Sequence, residues 1–291
     1  MWPDILTRRE AEYCERVIGE LRDVQWVRPL LDRIRERGGV KYETKPLLFE
    51  LRFAYELQLL GLKAKYEYET GVGSSTVDFY IPIGGIEWLV ELVSLQVSDA
   101  VKDATRYDGL VSSVELSSDA ADLRQTPEAG MIRAQEKIAD KVFSKVDGPV
   151  KFPPVKLRRY HVILCDMRGY LLNGGDKWDY RQMAYGHAGI PVSHPQREML
   201  IQYWAKRADG LSEPIKGLFE ESNPTRGVKY IQERVHFLGF VNERKYGKGC
   251  VQESSQYLAN WHLFSEDAMA KDVFRAHYPM KIVKKGSACS Q

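Results

Sequence analysis

The stretch PLLFELRFAYELQLLGLKAKYEYETGVGSSTVDFYIPIGGIEWLVELVSLQ, residues 46–96, decides the fold of this chain. Its hydrophobic pattern predicts a helix over residues 46–60, followed by strands over 63–69, 75–81 and 87–95 with glycine-containing turns between them. The third strand is too apolar for the edge of a sheet, so it is predicted to lie centrally. The stretch therefore predicts a mixed α/β core.

Three acidic residues lie in this stretch at positions that a folded core would bring together. Glu50 shares its helix face with apolar residues. Asp78 lies in the middle of the second strand, where strict alternation places it on the face opposite its neighbours Val77 and Phe79. Glu91 lies in the middle of the third strand. Because a buried carboxylate is costly unless it meets a cation, these acids are the candidate functional residues.

The same residues resemble the core of the PD-(D/E)XK nuclease superfamily, which carries a Glu on a helix, an Asp on a hairpin strand and (D/E)-x-K on the next strand. The matching text is FELRFA at 49–54 leading to LG at 60–61, then VDF at 77–79, and VELVS at 90–94. The resemblance implies a restriction-endonuclease-like fold, in which a mixed sheet is flanked by helices.

The resemblance also implies an activity, which is metal-dependent hydrolysis of phosphodiester bonds in nucleic acid. Asp78, Glu91 and Glu50 would hold Mg²⁺, with Mn²⁺ as a substitute, since Mg²⁺ prefers oxygen ligands and keeps several waters. The bound metal would polarise the phosphodiester and lower the pKa of an attacking water. DNA is the favoured substrate, and RNA stays open, as does the choice between endonuclease and exonuclease cleavage.

The sequence departs from the family pattern at Val93, which stands where the family has its lysine. In the family, that lysine helps to position and activate the attacking water. A helix predicted over residues 131–145 carries Lys137 and Lys141 beside its apolar face, and in the family fold this helix packs next to the active site. We expect one of the two lysines, Lys137 ahead of Lys141, to reach the carboxylates. Gln135 is a further candidate catalytic residue, because a glutamine on an apolar stripe needs a polar partner.

The rest of the chain is interpreted as material around this core. Residues 1–40 predict a helical segment that breaks near Pro29, and residues 41–168 form the nuclease-like core, including a strand over 160–166. Residues 169–291 predict an α+β extension packed on the core, with a late strand at the far edge of the sheet over 234–243.

Composition narrows the classes of function. Lys and Arg total 42 against 40 Asp and Glu, and the resulting net charge of +2 argues against a surface that binds nucleic acid all over, but leaves room for a basic groove. The four cysteines show no C-x-x-C spacing, so neither a zinc module nor a disulfide framework is indicated. No apolar run approaches the ~20 residues of a membrane-spanning helix. We therefore expect a cytoplasmic protein with no membrane role, and a homo-oligomer stays open.

Two alternatives to the nuclease hypothesis remain. In the first, Val93 marks a degenerate site, and the protein is a nucleic-acid-binding or assembly module that keeps the fold without catalysis. In the second, the acids are structural partners of the buried Arg52 or of lysines in an α/β protein without a site. A lysine close to the acids in space would favour the nuclease.

Overall fold

Six strands form one mixed sheet between two layers of helices. The computed structural model describes residues 6–97, 105–108, 111–114, 126–146, 148–170, 174–189, 193, 195, 201, 203–206, 211–264, 272–274 and 278. The sheet strands are β1 (Lys65–Glu69), β2 (Thr76–Ile83), β3 (Ile86–Ser94), β4 (Arg159–Asp166), β5 (Phe237–Val241) and β6 (Ser255–Ala259). They lie side by side in chain order. Strands β1 to β3 are antiparallel, β3 to β5 are parallel, and β6 is antiparallel to β5.

Some of the helices in the described chain begin at a residue whose side chain caps them. The helices are α1 (Arg8–Leu21), α2 (Arg28–Glu36), α3 (Lys45–Leu59), α4 (Pro127–Ala139), α5 (Lys177–Tyr185), α6 (Val228–Arg234) and the single turn α7 (Cys250–Glu253). The Thr7 hydroxyl accepts the Glu10 N–H at the start of α1, and Pro29 lies in the first turn of α2. The predicted break of the N-terminal helical segment near Pro29 is thus confirmed.

Shorter elements complete the described chain. The 3₁₀ turns are Gln25–Val27, Tyr42–Thr44, Gly186–Gly189 and Trp261–Leu263. Three small antiparallel pairs join Thr105–Asp108 to Val111–Val114, Phe143–Ser144 to Gly148–Pro149, and Trp204–Lys206 to Ser212–Pro214. Within the described residues, no helix is long and apolar enough to cross a membrane. The cytoplasmic location stays a prediction.

Each face of the sheet packs against its own set of helices. On one face, α1, α2 and α3 bury apolar residues against Phe79, Trp88 and Val90. On the other face, α4, α5 and α6 pack on residues that include Leu89 and Val93. Alternate residues of β3 thus supply both clusters, which explains its nearly continuous apolar sequence. The predicted α/β class, with strands β1 to β4 in one sheet flanked by helices, is confirmed.

Two predicted elements need correction. The late strand exists as β5, but it lies between β4 and β6 and not at the sheet edge, since Ser255–Ala259 extends the sheet further. All five residues of β5 are buried, as expected of a strand with neighbours on both sides. The helix expected over 131–145 is Pro127–Ala139, because Thr126 caps it one turn earlier and the chain turns after Asp140.

The strict alternation expected along β2 is also wrong. Phe79 packs on the face of α3, but Val77 belongs to the opposite cluster. The pairing of β1 with β2 passes over Glu67 and Asp78, and Glu67 has a φ of 52°, in the left-handed region. A residue in that conformation locally interrupts the pleat. The side chains on either side of Asp78 therefore point to opposite faces of the sheet.

Candidate active site

Asp78 and Glu91 lie next to each other on adjacent strands. The register pairs Phe79 with Val90, which sets the two acids opposite one another one step further along. The Asp78 N–H donates to Glu91 Oε2 at 3.3 Å, and the Leu92 N–H donates to Asp78 Oδ2 at 2.6 Å. Asp78 is 8% exposed and Glu91 is 0% exposed. Two carboxylates thus meet inside the protein.

Two lysines contact the same oxygen of Glu91. Lys141 Nζ and Lys151 Nζ each lie 2.8 Å from Glu91 Oε1. Lys141 follows the end of α4, so the turn of the chain there carries its side chain back to the sheet. Burial would lower the pKa of Lys141, but Glu91 and Asp78 raise it well above its ordinary value, and its ammonium remains charged.

Glu50 approaches this pair from α3. Its Oε2 accepts a hydrogen bond from the Tyr66 hydroxyl at 2.7 Å, and that hydroxyl accepts one from Arg33 Nη1 at 2.5 Å. Burial is the main cause that raises the pKa of Glu50 to about 7, and the nearby Glu91 adds to it, while the hydrogen bond from Tyr66 opposes it. Burial, followed by Glu91 and Glu50, raises the pKa of Asp78 well above its ordinary value. The three acids therefore lie within electrostatic reach of one another.

A cavity of about 620 Å³ opens beside these residues, between α3 and α4. Its walls are formed by residues 92–97 at the end of β3, by the N-terminal part of α3 with Glu50, by α4 with Lys137, and by Lys141. This is the carboxyl end of the parallel strands, where open α/β sheets bind their ligands. Val93 is one of the wall residues, so the cavity has an apolar surface two residues beyond Glu91.

The structure separates the other predicted residues. Lys141 contacts Glu91, whereas Lys137 is exposed in the cavity wall, which reverses the expected order of the two lysines. The reason is that α4 ends before Lys141, and the turn beyond it points back to the sheet. The amide nitrogen of Gln135 does not contact the carboxylates. It donates to the backbone carbonyls of Met183 at 3.2 Å and Lys216 at 2.7 Å. Gln135 thus joins α4 to its neighbouring segments.

Lys151 is the contact residue that sequence reasoning missed. It lies in the basic text KFPPVKLRR, which is typical of an exposed loop. Its contact with Glu91 depends on a turn of the backbone at Lys151 with a φ of 64°, a conformation that nothing in the residue type indicates. A lysine before a strand of the same sheet was the available clue, and it is a weak one.

The buried Arg52 has a different set of acidic partners. Its Nη1 donates to Glu10 Oε1 at 2.8 Å and its Nε to Glu243 Oε2 at 2.9 Å. Arg168 completes this network through Glu10 at 2.7 Å and Asp166 at 2.8 Å. The network joins α1, α3 and the ends of β4 and β5. Because Arg52 is engaged there, it does not explain Glu50, Asp78 or Glu91.

Asp78 and Glu91 are the candidate ligands for a small divalent cation. Asp78 and Glu91 supply two neighbouring carboxylates, the number that Mg²⁺ commonly takes from a protein. Burial first, and neighbouring carboxylates after it, raise the pKa values of Asp78 and Glu50. Among the described residues, however, no group of three or more His, Cys, Asp or Glu side chains is arranged to hold a metal ion. Glu91 Oε1 instead faces two ammonium groups.

Comparison of the chain with protein-family models, with curated proteins and with solved structures finds no match. Its function is therefore argued from the geometry and electrostatics of this site.

Proposed function

We propose that this chain is a divalent-metal-dependent nuclease with a restriction-endonuclease-like fold, acting on DNA in preference to RNA. The observation that carries the proposal is the 2.8 Å contact between Lys141 Nζ and Glu91 Oε1. Val93 stands where the motif would place a lysine on β3. Lys141, just beyond the end of α4, supplies an ammonium group to the Glu91 carboxylate instead. An antiparallel β1–β3 unit continued by the parallel β4 supports the fold assignment.

The carboxylates would hold the metal, which would polarise the phosphodiester and lower the pKa of an attacking water. Asp78 and Glu91 are the direct ligands in this proposal. Glu50, which accepts a hydrogen bond from the Tyr66 hydroxyl, would hold a water of the metal's shell. Mg²⁺ is the expected ion and Mn²⁺ its substitute.

The lysine has a role that follows from its charge. Since the surrounding carboxylates raise the pKa of Lys141 overall, the ammonium keeps its proton and donates hydrogen bonds. It therefore orients the attacking water and stabilises negative charge on the phosphate, and does not act as a general base. Lys137, exposed in the cavity wall on α4, would contact a neighbouring phosphate of the substrate.

A cleavage assay tests this proposal. Purified protein is incubated with labelled single-stranded and double-stranded DNA and with RNA, in Mg²⁺, in Mn²⁺ and in EDTA. We expect cleavage in both metals and none in EDTA. The Asp78→Asn variant should be inactive, whereas Glu233→Gln, a change on α6 in an ion pair that is largely exposed, should retain full activity. Cleavage that persists in EDTA or in Asp78→Asn contradicts the assignment.

One observation favours a second candidate function, a nucleic-acid-binding module without catalysis. Two ammonium groups already contact Glu91 Oε1. Among the described residues, no group of three or more His, Cys, Asp or Glu side chains is arranged to hold a metal ion. A wild-type protein that binds DNA but cleaves no substrate in either metal would support this alternative and exclude the nuclease.

A further inference from the structure

Lys151 occupies a backbone conformation that lysine rarely adopts. Its φ is 64°, and the Phe152 N–H donates to the Val150 carbonyl across it at 2.7 Å, which closes a three-residue turn. Turns of this kind with positive φ are rare and strained for residues with a Cβ. Such strain persists only where surrounding contacts fix the conformation, and it concentrates at functional sites.

Contacts on both sides of Lys151 hold this turn in place. The Lys151 N–H donates to Ser75 Oγ at 2.7 Å, and the Val150 N–H donates to the Val142 carbonyl at 2.9 Å. On the other side Phe152 is fully buried and stacks on the ring of His161, with centroids 5.0 Å apart. The turn is therefore built into the fold, and it directs the Lys151 side chain inward.

The ammonium of Lys151 reaches two acceptors. It donates to the Thr76 carbonyl at 3.0 Å and lies 2.8 Å from Glu91 Oε1. Lys141 already supplies Glu91 with one positive charge at the same distance. Lys151 thus adds a second cation at Glu91, within a cluster that also contains the acids Asp78 and Glu50.

This second charge has a consequence for a divalent cation. An ion bound by Glu91 would lie a few ångströms from the Lys151 ammonium, where repulsion between charges in a protein is strong. Lys151 does not need to leave the site when a metal binds, because the Thr76 carbonyl remains its acceptor. Its charge would therefore oppose the metal continuously.

We infer that Lys151 sets the affinity of the metal site, because its ammonium competes with a divalent cation for Glu91 and keeps metal binding weak. The inference rests on the proposed function, since it assumes that Glu91 is a metal ligand. It assigns Lys151 a role different from that of Lys141, which lines the cavity and faces the substrate.

The inference is tested by measuring the equilibrium binding of Mn²⁺ in the absence of nucleic acid. The concentration of free Mn²⁺ is read from its electron paramagnetic resonance signal. Lys151→Met and Lys151→Gly should each bind Mn²⁺ at least tenfold more tightly than the wild type. The glycine variant secures folding, because glycine adopts a positive φ without strain. Lys151→Arg keeps the charge and should bind as the wild type does, as should Lys145→Met, whose lysine is exposed nearby.

The outcomes separate the two proposals. Wild-type binding with equal or weaker binding by Lys151→Met and Lys151→Gly overturns the role of Lys151 and leaves the metal site standing. An absence of Mn²⁺ binding in every variant overturns both the metal site and the inference. A purely structural role for Lys151 would lower the stability of Lys151→Met and would not tighten its metal binding.

Discussion

In the metal-free protein, replacement of Glu50 by glutamine should increase stability relative to the wild type, and the increase should be larger at about pH 8 than at about pH 5. Burial raises the pKa of Glu50 from 4.5 to about 7 in the folded state. Between these values the folded state binds more protons than the unfolded state, so the free energy of unfolding falls as the pH rises. The difference in pKa corresponds to about 3 kcal/mol at 1.36 kcal/mol per unit, most of it lost between about pH 5 and about pH 8.

Glutamine does not titrate, and its side-chain carbonyl oxygen can accept the hydrogen bond that the Tyr66 hydroxyl donates to Glu50 at 2.7 Å. Urea unfolding of both proteins in EDTA, at about pH 5 and about pH 8, gives the required free energies. The stability of Glu50→Gln relative to the wild type should increase by about 2.5 kcal/mol from the lower to the higher pH. An equal difference at the two pH values would refute the electrostatic account of the site.

Glu56 on the same helix provides a matched control. Burial raises its pKa to about 8, and its carboxylate accepts the N–H groups of Val251 at 2.7 Å and Gln252 at 3.1 Å. Glu56→Gln should therefore show a pH-dependent gain of the same sign. Excess Mg²⁺ should reduce the gain from Glu50→Gln, because the metal stabilises the ionised carboxylate, and should leave the gain from Glu56→Gln unchanged.

Three further predictions concern the site and its support. Lys141→Met should lower the single-turnover cleavage rate on the order of 10²-fold while Lys151 still pairs with Glu91, and an unchanged rate would remove Lys141 from the mechanism. Asp78→Asn should keep or slightly increase the stability measured by urea unfolding, because it removes one of several buried negative charges; a large loss would identify Asp78 as a structural residue. Arg168→Met should lower the free energy of unfolding by about 3–5 kcal/mol, since Asp166 loses its buried partner, and a change below about 1 kcal/mol would contradict the importance of that network.

The local parts of this fold could be predicted from the sequence, because they depend on nearest neighbours. The helix α3 and strands β1 to β3 follow from periodicity and turn residues within one continuous stretch, and their pairing brings Asp78 to Glu91. The central position of β5 could not be predicted in the same way. It depends on β6, a strand with only partly buried residues except Leu258, so its own pattern is weak.

The cations of the site were harder to predict than its acids. Lys141 reaches Glu91 only because α4 ends at Ala139, and helix ends are the least certain feature of a periodic pattern. Lys151 depends on a positive φ that its residue type disfavours. Both contacts are set by the course of the chain over a few residues, whereas Asp78 and Glu91 are set by the regular register of a sheet.

The most direct test of the central claim is the single-turnover rate of DNA cleavage in Mg²⁺ for Glu91→Gln against Glu87→Gln. Both residues lie on β3, but Glu87 pairs with Arg159 at 2.7 Å away from the cavity. We predict that Glu91→Gln abolishes cleavage and that Glu87→Gln cleaves at the wild-type rate. Cleavage by Glu91→Gln at the rate of Glu87→Gln would contradict the assignment of this site.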